Sequence, residues 1–297
     1  MSFDPSLHAK AQSARQALKD LISLRLDSSV QTQLFDFPSQ QDAFLAFLSK
    51  VPKLLGNRPL IGQFGDRSAA EIESTYGPLK VGEWSLVLAS RIYLLASYLK
   101  DGADVYAQLF QIYDLADTET KQACLSAINF MNGDIEQGLV LVHDAGRTYL
   151  SALMTSAWCN HPFSATYLSE HDYRKAVLKA LFCDIPIAGF QKLTQRATSE
   201  LAQSVSEYAD EREAAGRIVP PTVWILAAYF PKPGLVARLI GRIEHPSETE
   251  RLTAIQALGN TKDQRAISFL EERLDREPFE SIQLEIKNAI ERLKSKS

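Results

Sequence analysis

Residues 247–274, SETERLTAIQALGNTKDQRAISFLEERL, are the part of the sequence from which the fold is argued. Apolar and small side chains recur at helical spacing in the first half, a short polar break follows, and a second helical pattern completes the segment. A pair of helices of this kind leaves one apolar face uncovered. The pair is therefore expected to stack against neighbouring helices.

An internal repeat supports this expectation. With an offset of 130 residues, 105–128 resembles 235–258, and in both copies an apolar helical pattern is followed by a polar break and then by a small-residue helical pattern. The matching positions are Leu109 with Leu239, Phe110 with Ile240, Leu125 with Ile255, and Ala127 with Ala257. The segment 247–274 resembles a HEAT repeat, whose favoured positions are filled by Arg251, Ala254, Ala257, Leu258 and Gly259. The predicted class is all-α, a HEAT-like α-α superhelix or helical-repeat bundle.

The rest of the chain is expected to extend the same architecture as one elongated helical domain, 1–297. Residues 1–83 supply N-terminal helices and an irregular segment, 84–233 form the core, and 234–297 form the C-terminal repeat with a capping helix. The nearly all-apolar helix at 84–99 should lie inside the bundle, so its one charged residue, Arg91, needs a partner. No strand is predicted, because valine and isoleucine follow helical spacing and hairpin turn signals are missing. Residues 56–83 are interpreted as a loop or short helix, with Gly56, Gly62 and Gly65 in turns.

Composition excludes several classes of function. The chain has 297 residues, 45% hydrophobic and 23% charged, and a net charge of -4, which lacks the basic excess needed for general nucleic-acid binding. Three cysteines without CxxC spacing favour a reducing compartment, and we expect a cytoplasmic protein. Neither a secretory signal nor a membrane span is expected. Five histidines show no metal-site spacing, and no GxSxG nucleophile motif occurs, so no metal and no cofactor are predicted.

Two helical patterns place cations near apolar faces. Lys179 lies on a charged stripe that is either solvated or directed at an anionic ligand. Arg212 shares a face with Leu201, Val205 and Tyr208, so it needs a carboxylate or a bound anion, and Glu211 lies beside that face. Arg217 follows the helix end, where a cation is favoured without any ligand. A local ion pair or a helix cap would account for Asp144 and Arg147.

Five segments together resemble a known family. They are HDAGRTY (143–149), NHPF (160–163), VLKALF (177–182), KLTQRATSELA (192–202) and YADEREAAGRIVPP (208–221). Their order and spacing resemble the EboA-like proteins, the first product of the bacterial ebo gene cluster, over about residues 84–260. Tyr149, His161, Thr155 and the pair Arg174-Lys175 depart from that family's pattern, which marks a divergent member.

The resemblance implies a set of functional residues. The ligand-binding candidates are Asp144, Arg147, Lys179, Arg196, Tyr208, Glu211, Arg212 and Arg217. If the protein is an enzyme, Glu211 and His161 are weaker acid–base candidates, and His161 is proposed for its residue type and not from the family's pattern. The favoured hypothesis is a non-catalytic metabolite-binding or scaffold protein of the ebo secondary-metabolite biosynthesis and export pathway, whose partners are a small metabolite or other ebo-cluster proteins. One alternative is an enzyme that acts on an anionic isoprenoid, sugar-phosphate or indole-type intermediate. Another is an adaptor without a ligand pocket.

Overall fold

The computed structural model describes residues 4–62, 67 and 69–295, and Gly65, one of the predicted turn residues, lies outside them. The described chain is predominantly helical, which confirms the predicted all-α class. It forms two compact units: Met1–Ile185 with Gly189–Gln191, and Pro186–Ala188 with Lys192–Ser297. The division falls inside the segment 84–233, which is predicted to form the core.

The first unit holds the N-terminal and central helices. Its α-helices are α1 (His8–Ser23), α2 (Ser28–Phe35), α3 (Gln41–Leu48), α4 (Val51–Leu55), α5 (Leu86–Tyr98), α6 (Val105–Leu115), α7 (Thr118–Ala127), α8 (Ile135–Arg147), α9 (Ser151–Trp158), α10 (Pro162–Tyr167) and α11 (Glu170–Phe182). Two strands, β1 (Glu71–Ser74) and β2 (Gly77–Lys80), precede α5. Short 3-10 helices lie at Pro5–Leu7 and Ile128–Phe130, and a further one spans Ile187–Gly189.

The second unit contains the predicted repeat. Its helices are α12 (Ser199–Ala214), α13 (Pro221–Ala227), α14 (Leu235–Arg242), α15 (Glu248–Asn260), α16 (Ala266–Leu274) and α17 (Glu280–Ser295). Helices α13, α15 and α17 pack side by side as one layer, and α14 packs on α15 while α16 packs on α17. Each helix pair thus packs against its neighbour and covers the apolar face that the neighbour alone would leave exposed.

Burial confirms the internal repeat. Leu109 and Leu239 are both fully buried, as are Leu125 with Ile255 and Ala127 with Ala257. The fourth pair, Phe110 and Ile240, is half-buried in both copies. The copy formed by α6 and α7 therefore presents the same face to its core as the copy formed by α14 and α15.

Helix α5 lies at the centre of the first unit, as its apolar composition predicts. It contacts α1, α4 and α7, and the run from Ala89 to Ala96 is buried. Its arginine does have a partner: Arg91 Nη1 donates to Glu119 Oε2 on α7 at 2.8 Å.

The prediction that the chain has no strand is wrong at one place, residues 71–80. Here β1 and β2 form an antiparallel hairpin in which Ile72 pairs with Leu79 and Ser74 with Gly77. Gly77 has φ of 132°, a conformation that favours glycine, and Ser74 Oγ donates to its carbonyl at 2.6 Å. The turn residues, Thr75 and Tyr76, are not a common hairpin pair, and each strand has only four residues, so the pattern was too short to recognise.

Candidate functional site

A cleft of about 400 Å³ lies between α8, α9 and α11 in the first unit. It brings together Arg147 and Lys179, two of the predicted ligand-binding residues. Its full lining is Val142, His143, Gly146, Arg147, Trp158, Leu168, Asp172, Lys175, Ala176 and Lys179. The lining therefore combines an apolar floor with three cations and one carboxylate.

Lys179 has a structural task at this cleft. Its Nζ donates to the carbonyl oxygens of Gly146 at 2.6 Å and Thr148 at 2.8 Å, and it lies 4.7 Å from the centre of the Tyr149 ring. These carbonyls end α8, where the helix dipole favours a cation. Lys179 thus fixes the end of α8 and also leaves a positive charge on the wall of the cleft.

Arg147 and Asp144 lie on α8 but have different surroundings. Arg147 is exposed in the last turn of the helix, at the edge of the cleft. Asp144 is half-buried and does not line the cleft. Burial first, and then the nearby Asp144 carboxylate, raise the pKa of Tyr113. The carboxylate of Asp144 therefore lies near Tyr113 of α6 and not in the cleft.

His161 is buried, and both of its ring nitrogens are used within the chain. Nδ1 accepts from Ser164 N at 3.1 Å and caps α10, so Nε2 carries the proton and donates to the Leu125 carbonyl at 2.9 Å. Burial lowers the pKa of this histidine to about 4, although its hydrogen bonds favour the charged form. The geometry gives His161 a role in holding α10 against α7.

This burial predicts a pH-dependent stability. Between pH 6.5 and 4 the unfolded chain binds a proton at His161 that the native state does not, so the free energy of unfolding falls as the pH falls. A shift of this size corresponds to about 3 kcal/mol. The measurement is urea unfolding of wild type and His161→Asn at pH 7 and at pH 4. The stability advantage of wild type should shrink by about that amount. An advantage that stays constant with pH would contradict the assignment.

The remaining candidates lie in the second unit. Arg212 is half-buried, its Nε donates to the Ile218 carbonyl at 2.8 Å, and its guanidinium lies 5.6 Å from the centre of the Tyr208 ring. Glu211 and Arg217 are exposed, and Arg196 is half-buried before α12. Tyr208 and Arg212 thus contact each other. Convergence of these residues with Lys179 stays a prediction.

The second unit has a larger, open cleft of about 1190 Å³, lined by 229–234, two residues of α14, and 262–265. None of the predicted candidates lines it. Two cations in its lining already form salt bridges within the chain: Lys232 pairs with Asp210 at 2.7 Å, and Arg265 pairs with Asp263.

Comparison with known proteins assigns the chain to a family. Residues 16–228 match the family described as "Metabolite traffic protein EboA". The chain belongs to the EboA family. Residues 221–291 also match HEAT repeats, in agreement with the layered helices of the second unit. No curated protein and no solved structure shows significant similarity to the chain.

The EboA match separates the two clefts. The α8–α9–α11 cleft lies wholly within the matched residues, whereas the open cleft of the second unit lies at 229–265, beyond the match.

In the described part of the chain, no group of three or more His, Cys, Asp or Glu residues is arranged to hold a metal ion. No helix in those same ranges is long and apolar enough to cross a membrane.

Sequence reasoning missed a charged cluster in the second unit of this EboA protein. Arg238 and Arg242 of α14 each lie 4.6 Å from the ring centre of the buried Trp224. Arg238 pairs with Asp210 and Glu213, and Arg242 pairs with Glu213 and Glu250. The i, i+4 spacing of the two arginines predicts that they share one face of α14. Their partners on α12 and α15 are determined by tertiary packing, which the spacing does not reveal.

Proposed function

We propose that this protein binds a small anionic metabolite in the α8–α9–α11 cleft and passes it on without changing it chemically. The description of the EboA family as metabolite traffic proteins supports a role of this class. This role belongs to the class favoured by the sequence, a non-catalytic metabolite-binding or scaffold protein.

The main support is the composition of the cleft. Arg147, Lys175 and Lys179 line it, and Asp172 is the one carboxylate in the lining, with its Oδ2 4.0 Å from His143 Nε2. The excess of cations favours an anion at the mouth of the cleft. Arg147 and Lys175 are exposed, so an incoming anion can reach them without rearrangement of the core.

The floor of the cleft indicates the body of the ligand. Trp158 and Leu168 are both 5% exposed and line the cleft beside Val142 and Ala176. An apolar floor that includes an aromatic ring favours a flat or hydrocarbon group. A molecule with one anionic group and an aromatic or isoprenoid body combines both features, whereas a fully polar sugar uses only the first.

A traffic function also needs a surface for release to a partner. Tyr149 is 86% exposed and Leu150 is 52% exposed, immediately after the helix end that Lys179 caps. We propose that this apolar pair lies on the face that meets another protein of the ebo pathway.

A reducing, cytoplasmic location accords with the thiols of Cys124, Cys159 and Cys183, none of which forms a disulfide in the described chain.

The catalytic alternative receives less support from the geometry. Both ring nitrogens of His161 are engaged within the chain, and Glu211 is exposed on α12. A general base has to reach a proton on the substrate, and His161 in this arrangement does not.

The proposal is tested by the small molecules that the protein carries. Wild type, Arg147→Glu/Lys175→Glu and the control Lys100→Glu are purified from the native host, checked for folding by circular dichroism and extracted for mass spectrometry. Wild type and the control should carry the same anionic molecule, and the double variant should lose at least nine-tenths of it, because two cations become anions at the cleft mouth.

The control makes one of the same charge reversals, half of the total charge change, at an exposed lysine outside the lining of the cleft. Equal occupancy in wild type and the double variant would place the ligand elsewhere. An empty wild-type protein would remove the basis for a metabolite carrier.

A further inference from the structure

A further cleft, of about 520 Å³, lies at the start of α5 and is not part of the proposed carrier site. It is lined by Pro52 of α4 and by Gly56 and Asn57 after that helix, by the first turn of α5, and by α7. Arg91 lies in its wall. Side chains of helical residues point back toward the helix N-terminus, so the guanidinium of Arg91 reaches over the first turn of α5.

Arg91 is buried but incompletely bonded. Its side chain is 4% exposed, and Nη1 donates to Glu119 Oε2 at 2.8 Å. Among the residues that the structure describes, its buried Nε has no hydrogen-bond partner. A guanidinium stays charged and has five N–H donors, so a buried one is normally surrounded by acceptors.

Glu119 is a weak anchor for such a group. Its side chain is 70% exposed in the first turn of α7, so water competes for the carboxylate and its rotamers are open. A structural ion pair of a buried arginine is expected to have a partner that is itself held by hydrogen bonds. In this chain Glu277 is such a partner: its side chain is fully buried and accepts from two arginines.

We propose that the Arg91 cleft is an oxyanion-binding site, in which the carboxylate or phosphate group of a small molecule displaces Glu119 from Arg91. A bidentate oxyanion can accept from both Nε and an Nη atom, which a single oxygen of Glu119 does not do. The positive end of the α5 dipole, at Ser85, adds to the field that favours an anion.

The rest of the cleft indicates the class of molecule. Pro52, Val87 and Leu88 give it an apolar wall, and Asn57 and Gln122 supply polar groups at its edge. The volume lies within the usual range for small-molecule sites. The ligand is therefore a small molecule with one oxyanion group and an apolar body. All residues of this site differ from those of the carrier cleft, so each site can fail independently.

The test uses isothermal titration calorimetry with phenyl phosphate and benzoate as probes. All proteins carry Arg147→Glu/Lys175→Glu, so binding at the carrier cleft does not contribute. Glu119→Gln removes the internal competitor and should tighten binding of the preferred probe about fivefold. Asp114→Asn, an exposed carboxylate of α6 outside the lining, is the charge-matched control and should leave the affinity unchanged.

Arg91→Met should abolish binding of the same probe, with folding checked by circular dichroism. If that variant does not fold, the comparison of Glu119→Gln with Asp114→Asn decides alone. The proposal is overturned by failure of both probes to bind Glu119→Gln, by equal affinities in Glu119→Gln and Asp114→Asn, or by binding that survives in a folded Arg91→Met protein. The probe that binds more tightly distinguishes a phosphate from a carboxylate ligand.

Discussion

Replacing Glu277 with leucine lowers the free energy of unfolding by about 3–5 kcal/mol, because it leaves buried guanidinium groups without their carboxylate. Glu277 accepts from Arg251 Nε and Nη2, both at 3.0 Å, and from Arg273 Nη2 at 2.7 Å. Although burial raises it, hydrogen bonds from both arginines bring the pKa of Glu277 below its usual value. Arg251 also donates to the carbonyls of His245 and Pro246, so this cluster joins the turn before α15 to the end of α16.

The measurement is urea unfolding at pH 7, with Glu272→Gln as the control. Glu272 is exposed on α16, the helix that precedes Glu277, so its substitution should change stability by less than about 0.5 kcal/mol. The double variant Arg251→Met/Glu277→Leu should recover part of the loss, since it removes the uncompensated charge together with its partner. A loss below about 1 kcal/mol in Glu277→Leu would show that the cluster does not hold the repeat together.

Asp101→Asn is expected to destabilise the first unit by a similar amount, about 3–4 kcal/mol. The Asp101 side chain is 1% exposed, and its two oxygens accept from Arg15 Nη1 at 2.9 Å and Nη2 at 2.8 Å. Oδ1 also accepts from Asn132 N at 3.0 Å, and Oδ2 lies 3.1 Å from His8 Nδ1. Asparagine has the same shape as aspartate, but its NH2 group would face N–H groups that need an acceptor. The substitution also removes the negative charge that compensates Arg15.

The control for this prediction is Asp104→Asn. Asp104 is exposed at the start of α6, and its side chain makes no capping hydrogen bond. Unfolding in urea should distinguish the two substitutions by at least about 2 kcal/mol. Equal effects would mean that the bidentate pair with Arg15 contributes little.

Much of the helical architecture was predictable because it depends on periodicity. The burial of α5, the need of Arg91 for a partner and the equivalence of 105–128 with 235–258 all follow from spacing along the chain. The hairpin at 71–80 did not follow, because four-residue strands carry too little alternation and their pairing is fixed by a glycine at positive φ.

The candidate site was predictable only in part. Lys179 was selected from the charged stripe of its helix as well as by family resemblance, Arg147 was selected by resemblance, and both line one cleft. The hydrogen bonds of Lys179 to the end of α8, and of His161 to Leu125, join residues more than thirty positions apart, so local patterns do not reveal them. Arg15 and Asp101 are 86 positions apart, and Arg251 and Glu277 are 26 apart, so both pairs also become neighbours only after the helices pack.

The most direct test of the central claim is hydrogen exchange of the protein with its bound metabolite, compared with the same protein after the metabolite has been stripped. The α8–α9–α11 account predicts slower exchange in the bound form at 142–147 and 168–179, which contain most of the cleft lining. Slower exchange at 229–237 and 262–265 instead would assign the ligand to the open cleft of the second unit and contradict the account. Identical exchange in the two forms would contradict it as well.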